Sequence, residues 1–304
     1  MSESGYVGRF APSSPTGRLH MGSLVAAVAS WCDARHHGGR WLVRMEDLDP
    51  PREVPGAADD ILRTLEAFGL HWDGAVIYQS MRDDHYLDTL DELKKRGHVF
   101  PCACSRKELS GQPVYPGHCR GGLSPGRTGR SERFRFHDGQ WDWLDAVQGV
   151  QAFEAASLGD FVVRRADGLW AYQLAVVVDD IAQGVNAIVR GADLLDSTPR
   201  QLALRAVLAP DHPIAHWAHL PVLVNAEAQK LSKQTLAAPV ESEQAGRPLL
   251  SALALLGQPV EDLAQSHGGD VEGLLHRAAA RWDIGKVPTG PIHWQGHGQG
   301  PGVT

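Results

Sequence analysis

Strand, loop, helix and strand follow one another at the start of this chain, and that order limits its fold more than any other feature. Tyr6 to Phe10 reads as a short strand, and APSSPTG behind it is a loop made of turn residues. From Leu24 the apolar positions Leu24, Val25, Val28, Trp31 and Cys32 recur at helical spacing, until Gly38-Gly39 stops the pattern ahead of a second strand, Trp41 to Met45. Alternation of this kind predicts an α/β domain around a parallel sheet, where ligands sit outside the carboxyl ends of the strands. Ala57 to Phe68 and Asp83 to Arg96 fit two further helices. The apolar, partly β-branched run Leu174 to Val178 predicts a buried parallel strand, and Ala187 to Val189 another. Beyond Pro239 helices return at Leu249 to Leu256 and Val271 to Ala280, and the closing HWQGHGQGPGVT is expected to fray.

Composition narrows the classes. At 304 residues the chain has room for two packed units or one large domain with insertions. Its 43% apolar and 21% charged residues supply a sizeable core, which excludes disordered and fibrous classes. No apolar run approaches the roughly 18 residues that span a bilayer, and MSESG lacks the basic start and apolar stretch of a secretory signal. A cytoplasmic protein with no membrane partner is expected. Lys plus Arg number 29 against 36 Asp plus Glu, a formal charge of −7, which excludes a surface basic all over and leaves room for a local basic groove.

Two short segments suit phosphate chemistry. His20-Met21-Gly22-Ser23 opens the first helix, where unpaired backbone N–H groups and the helix dipole favour an anion, His20 offers a donor, and Gly22 lets a flat base approach the backbone. Lys230-Leu231-Ser232-Lys233-Gln234 places two ammonium groups where charge developing on a displaced pyrophosphate can be met. Taken singly, the first is also ordinary capping and the second a solvated lysine pair.

Together the two segments resemble the paired ATP signatures of class I aminoacyl-tRNA synthetases, usually written HIGH and KMSKS and standing here as HMGS and KLSKQ. RFAPSSPTG, VRMEDLDP, GLHWDG, YQLAVVVDD and IVRGADLL are similar to words of the glutamyl branch, so the likeness runs from about Tyr6 to Thr235. Within that branch the chain resembles the short paralogue family, the glutamyl-queuosine tRNA(Asp) synthetases, whose signatures close in Ser and Gln as these do. Only 70 residues follow Gln234, enough for a small helical stem but not for the anticodon-binding region of a full-length glutamyl-tRNA synthetase.

The resemblance implies a doubly wound, Rossmann-like α/β catalytic domain with a zinc-binding insertion and a short helical C-terminal part. Residues 1–100 would form its first half, 101–130 the insertion, 131–238 the remainder of the insertion and the second half, and 239–304 the stem and tail. It implies an enzyme that joins glutamate to ATP, with Mg²⁺, and passes the glutamyl group to queuosine in the anticodon of tRNA(Asp), acting as a monomer. His20 and Lys233, supported by Lys230, are expected to stabilise the transition state, and His20, Gly22 and Lys233 to hold ATP. A truncated synthetase charging the 3′ end of tRNA(Glu) and a non-catalytic RNA-binding paralogue are the alternatives.

Charge says what a glutamate pocket needs: donors for two carboxylates and an acceptor for one ammonium, because unpaired buried charges are expensive. Arg9 ends the first strand, Arg190 follows Ala187 to Val189, and Glu46 follows the second strand, so all three fall on the ligand rim. By themselves Glu46-Asp47-Leu48-Asp49 also read as the acidic approach to a helix, and Tyr172 as a core aromatic. The resemblance assigns Arg9, Ala11, Ser13, Glu46, Tyr172 and Arg190 to the pocket. The loop has one residue more than the family form, so Ser13 and Ser14 both compete for its serine position.

Three of the four cysteines, Cys102, Cys104 and Cys119, crowd into an aperiodic segment rich in Gly and Pro, a pattern that fits a structural zinc site. Spacing leaves Tyr115 and His118 open as the fourth ligand, and the resemblance favours Tyr115. Cys32 lies on the apolar face of the first helix and is expected in the core. Arg127, Arg130, Arg133 and Arg135 form a basic run that suits either tRNA phosphates or a solvated face. His293 and His297 form no recognised signature.

Overall fold

A computed structural model of the chain describes residues 5–13, 17–231, 238–241, 244–266 and 270–294. Strands β1 (Val7–Phe10) and β2 (Arg40–Met45) pair in parallel, Val7 opposite Arg40, and helix α1 (Met21–His36) is the crossover that parallel pairing requires. Two glycines make the return. Gly38 takes φ 62° to end α1, and Gly39 passes Tyr6 so closely that a Cβ would stand 2.3 Å from its carbonyl oxygen. Helix α2 (Ala57–Ala67) then leads to β3 (Ile77–Tyr78), which pairs with β2.

After α3 (Asp83–Lys95) the chain builds an antiparallel sheet in the order β4 (Val99–Cys102), β5 (Ser131–Phe134) and, farther on, β8 (Phe161–Arg164). Between the last two stand the hairpin of β6 (Gln140–Asp145) and β7 (Gly149–Glu154) and the single turn α4 (Ala155–Leu158). Helix α5 (Tyr172–Ala182), β9 (Ala187–Gly191), α6 (Thr198–Leu208) and β10 (His216–Leu220) return to the parallel layer. There β9 lies against β1: the Asn186 N–H donates to the Val7 carbonyl at 3.1 Å, and the Asn186 side-chain oxygen accepts the Val7 N–H at 2.8 Å. Strand β11 (Leu223–Val224), helices α7 (Gly246–Leu255), α8 (Glu261–Ser266) and α9 (Val271–Ala280) and strand β12 (Ile292–His293) complete the described chain.

Helices cover both faces of the parallel layer. On one face Leu24, Val28, Trp31 and Cys32 of α1 share a core with Trp41, Val43 and Met45 of β2 and with Leu249 and Leu253 of α7 and Leu274 and Leu275 of α9. Helix α1 is therefore sandwiched, which explains why its buried positions run nearly all round it. On the other face α5 and α6 share a second core with α3 and the antiparallel sheet. Among the described residues no helix is long and apolar enough to cross a membrane.

Two expectations are corrected. Leu174 to Val178 lies inside α5 and is no strand: these residues are buried among α3, α6 and β8, so the helix lacks the polar stripe that would have betrayed its period. The tail does not fray at its start. His293 pairs with Val224, and the Trp294 N–H donates to the Val224 carbonyl at 2.8 Å. Residues 295–304, His297 among them, lie outside the described residues.

Candidate active site and metal centre

Side chains alternate along a strand, and here the alternation sorts them by chemistry. Phe10, Val43, Met45, Val189 and Leu220 join the α1 core, whereas Arg9 and Arg44 reach Asp180 of α5, and Arg190 and His219 meet at Thr198 of α6. Beyond the strand ends opens a cavity of about 730 Å³. Arg9, Ala11, Ser13, His20, Gly22, Glu46, Tyr172, Arg190 and Lys230 all line it. Residues far apart in the chain are thus brought together as expected for a pocket. Lys233 and Ser14 lie outside the described residues.

Arg9 and Glu46, which line the cavity, join a buried network behind it with Arg44, Asp180 and Asp179, the last 3.9 Å from Arg44 Nε. The Arg9 Nε–H donates to Asp180 Oδ1 at 3.3 Å, and Arg44 Nη1 donates to the same oxygen at 2.7 Å. Arg44 Nη2 also stands 3.4 Å from Glu46 Oε1, while the Ser13 hydroxyl donates to Glu46 Oε2 at 2.9 Å. Burial pushes the Asp180 carboxyl up, but Arg9 and Arg44 outweigh it and hold the group below the usual carboxylate range. For Glu46 burial prevails, and its carboxyl is raised despite Arg44, Arg9 and Ser13.

Arg190 differs. Only 5% exposed, it donates from Nε to His219 Nε2 at 3.1 Å, from Nη1 to Gln201 Oε1 at 2.8 Å and from Nη2 to the Thr198 hydroxyl at 2.9 Å. These partners carry no negative charge, and burial lowers the affinity of the guanidinium for its proton. Opposite it, burial and then the Glu46 charge raise the Tyr172 hydroxyl.

His20 caps α1, its Nδ1 accepting the Ser23 N–H at 3.3 Å. A Cβ on Gly22 would stand 3.2 Å from that imidazole, so the missing side chain makes room for the ring. The segment after the lysine signature returns to this helix start, where the Val240 N–H donates to the Leu19 carbonyl at 2.9 Å. The Lys230 ammonium pairs with Asp193, just past β9. Sequence reasoning missed Asp193, Arg44, Asp180, Gln201 and His219. The paired acids closing the apolar run of α5, and the basic side chain at the penultimate position of β1, β2, β9 and β10, were the available signals.

Cys102 ends β4, and Cys104 and Cys119 follow in the long connection to β5; their sulfurs lie within 4.8 Å of one another. Cys104 and Cys119 are 3.7 Å apart, against about 3.8 Å for two sulfurs on a tetrahedral ion with bonds of about 2.3 Å. The Tyr115 hydroxyl stands 3.5 Å from Cys102 Sγ and accepts the Cys119 N–H at 2.8 Å. His118 is not among the side chains gathered with the thiols. The donor set therefore fits a metal ion, with Tyr115 beside it.

The neighbouring arginines serve this knuckle. Arg133 is buried, stacks over Tyr115 at 3.9 Å and donates to Cys102 Sγ at 3.3 Å; the Tyr115 hydroxyl, the Cys104 N–H and then Arg133 pull Cys102 down to about 7 despite burial. Arg135 lies over Phe100, and Arg127 donates to the Ala103 carbonyl and pairs with Glu108. The run is not a free basic face, and Arg130 joins the knuckle through its backbone, its N–H donating to the Cys102 carbonyl at 2.9 Å.

The family description "tRNA synthetases class I (E and Q), catalytic domain" matches residues 6–113 and 130–266. A protein of Chromobacterium violaceum named Glutamyl-Q tRNA(Asp) synthetase is 53% identical over 301 residues, which cover 96% of this chain and 98% of that one. One of the same name from Aromatoleum aromaticum is 55% identical, covering 93% and 90%. In fold, the chain is similar to the crystal structure of glutamate-tRNA synthetase from Elizabethkingia anophelis, with a TM-score of 0.79 at 22% identity, covering 96% of this chain and 68% of that one.

Proposed function

The chain belongs to the class I tRNA synthetases of the glutamyl and glutaminyl kind and, within them, to the glutamyl-Q tRNA(Asp) synthetases, and from that premise we propose how its cavity works. The enzyme activates glutamate with ATP and transfers the glutamyl group to queuosine in the anticodon of tRNA(Asp). One observation carries the assignment of the pocket: Arg190 is a buried cation whose partners are all neutral, and it faces the same cavity as Arg9 and the acidic Glu46. A ligand with two carboxylates and one ammonium supplies the missing counter-charge. In this reading Arg9 and Arg190 take the carboxylates, Glu46 and Tyr172 the ammonium, and Ala11 and Ser13 shape the wall.

ATP, carrying Mg²⁺, lies with its phosphates at the start of α1, where His20 donates and Gly22 admits the base. A glutamate carboxylate oxygen attacks the α-phosphorus, and the bond to pyrophosphate breaks. Lys230 and Lys233, with His20, stabilise the charge that develops on the leaving group. A queuosine hydroxyl then attacks the acyl carbon and AMP departs. Zinc held by Cys102, Cys104, Cys119 and Tyr115 orders the connection between β4 and β5, a structural role away from the reacting atoms. The reaction takes place in the cytoplasm, on a single chain.

Labelled glutamate tests this. Label should enter tRNA(Asp) only when queuosine is present and should survive removal of the 3′-terminal adenosine. Label on tRNA(Glu) that leaves with its terminal adenosine would instead identify a truncated glutamyl-tRNA synthetase.

A further inference from the structure

Behind the cavity wall lies a buried group that takes no part in the chemistry above. Asp145, from the β6 hairpin, and His219, in β10, are 1% and 0% exposed, and neither lines the cavity. Asp145 Oδ1 is fixed by three backbone donors, the N–H groups of Val147 at 3.1 Å, Gln148 at 2.9 Å and His219 at 3.0 Å. Its other oxygen stands 2.5 Å from His219 Nδ1. A carboxylate only accepts, so Nδ1 carries the imidazole proton and Nε2 is left bare. That bare nitrogen is what Arg190 needs, because its Nε–H points at Nε2 from 3.1 Å. Thr198 stands beside this contact: its oxygen accepts from Arg190 Nη2 at 2.9 Å and lies 3.1 Å from Nε2.

We infer that His219, locked in one tautomer by Asp145, is the positioning residue that aims the Arg190 guanidinium at the substrate carboxylate. The inference rests on Arg190 being a glutamate ligand. With the opposite tautomer, or with a protonated ring, an N–H would face the Arg190 N–H and turn the guanidinium away. The charged groups around the ring are Asp145 from β6, Arg190 from β9 and Arg9 from β1. Burial first, with Arg190 and Arg9 adding to it and Asp145 opposing, lowers the affinity of the ring for a second proton.

Isosteric variants separate positioning from packing. Asp145→Asn keeps the acceptor for the three N–H groups but offers His219 a donor, which reverses the tautomer. His219→Asn keeps the donor to Asp145 and loses the acceptor for Arg190, while His219→Gln retains an acceptor near the Nε2 position. Glutamate-dependent exchange of pyrophosphate into ATP, with queuosine-containing tRNA(Asp) present, should show KM for glutamate about tenfold to a hundredfold higher in Asp145→Asn and His219→Asn, with kcat little changed. His219→Gln should recover most of the loss. Unchanged KM in Asp145→Asn and His219→Asn, alongside a raised KM in Arg190→Ala, overturns this inference alone. Unchanged KM in Arg190→Ala overturns the role given to Arg190, and this inference with it. Equal losses in both His219 variants, tracking a fall in melting temperature, reduce the residue to packing and also overturn it.

Discussion

Asp180 shows how much rests on single side chains here. It is the shared counter-ion of Arg9 and Arg44, and all three are nearly sealed from water. In Asp180→Asn the shape stays and the charge goes: Arg9 loses its ionic partner, while Arg44 keeps Glu46 at 3.4 Å and Asp179 at 3.9 Å. Stability should fall by about 3–5 kcal/mol, read from urea denaturation, because an uncompensated buried charge is the costly result of breaking such a group. A loss below about 1 kcal/mol would mean that water reaches these arginines. Arg9, Glu46 and Arg190 were legible in the sequence because each stands where a strand ends. Asp180 was not, since two acids at the end of an apolar run look like the exposed end of any element.

At the scale of elements, α5 and the cysteine knuckle make opposite points. Periodicity had nothing to say about α5, because neighbours cover its apolar side chains on several sides. Hairpin β6–β7 also escaped notice: its turn is made by the Asp145 carboxylate, which takes the Val147 and Gln148 N–H groups, and by Gly149 at φ 73°, without a two-residue glycine signal. The knuckle, by contrast, was plain from its thiols. Its ordering should depend on metal. Chelation or Cys104→Ser should release a single zinc equivalent and open the segment between β4 and β5 to proteolysis, whereas Cys32→Ser, in the α1 core, should keep the metal. Full metal content in Cys104→Ser would remove that thiol from the site.

Across the whole molecule, buried carboxylates tie elements together that are distant in the chain. Asp33 of α1 accepts from Tyr6 before β1 and, at 2.9 Å, from Trp282 after α9, and it lies 3.1 Å from His216 of β10. Burial raises Asp33, Asp145 and Asp180, yet their partners outweigh it and hold all three below the ordinary range, Asp145 at about 2. The folded state therefore binds fewer protons than the unfolded chain. Stability from these groups is complete above about pH 4 and is lost as the pH falls through their depressed values, with Glu46, raised by burial, working the other way. Urea midpoints should decline between pH 7 and 5, as the unfolded chain takes up a proton that the buried His219 refuses, and drop steeply below about pH 4, and Asp33→Asn should flatten that lower drop.

The sequence by itself determined the parallel α/β order, the phosphate-binding start of the first helix, the three thiols and the arginines on the rim, because each is written in local spacing or at the end of one element. Only the tertiary structure decided that the run at Leu174 is a helix, that most of the basic run braces the knuckle, and which neutral and acidic groups stand behind each arginine. Such choices depend on what packs against a residue from elsewhere in the chain. A buried charge is settled by its partner in space, and nothing in its own stretch of sequence names that partner.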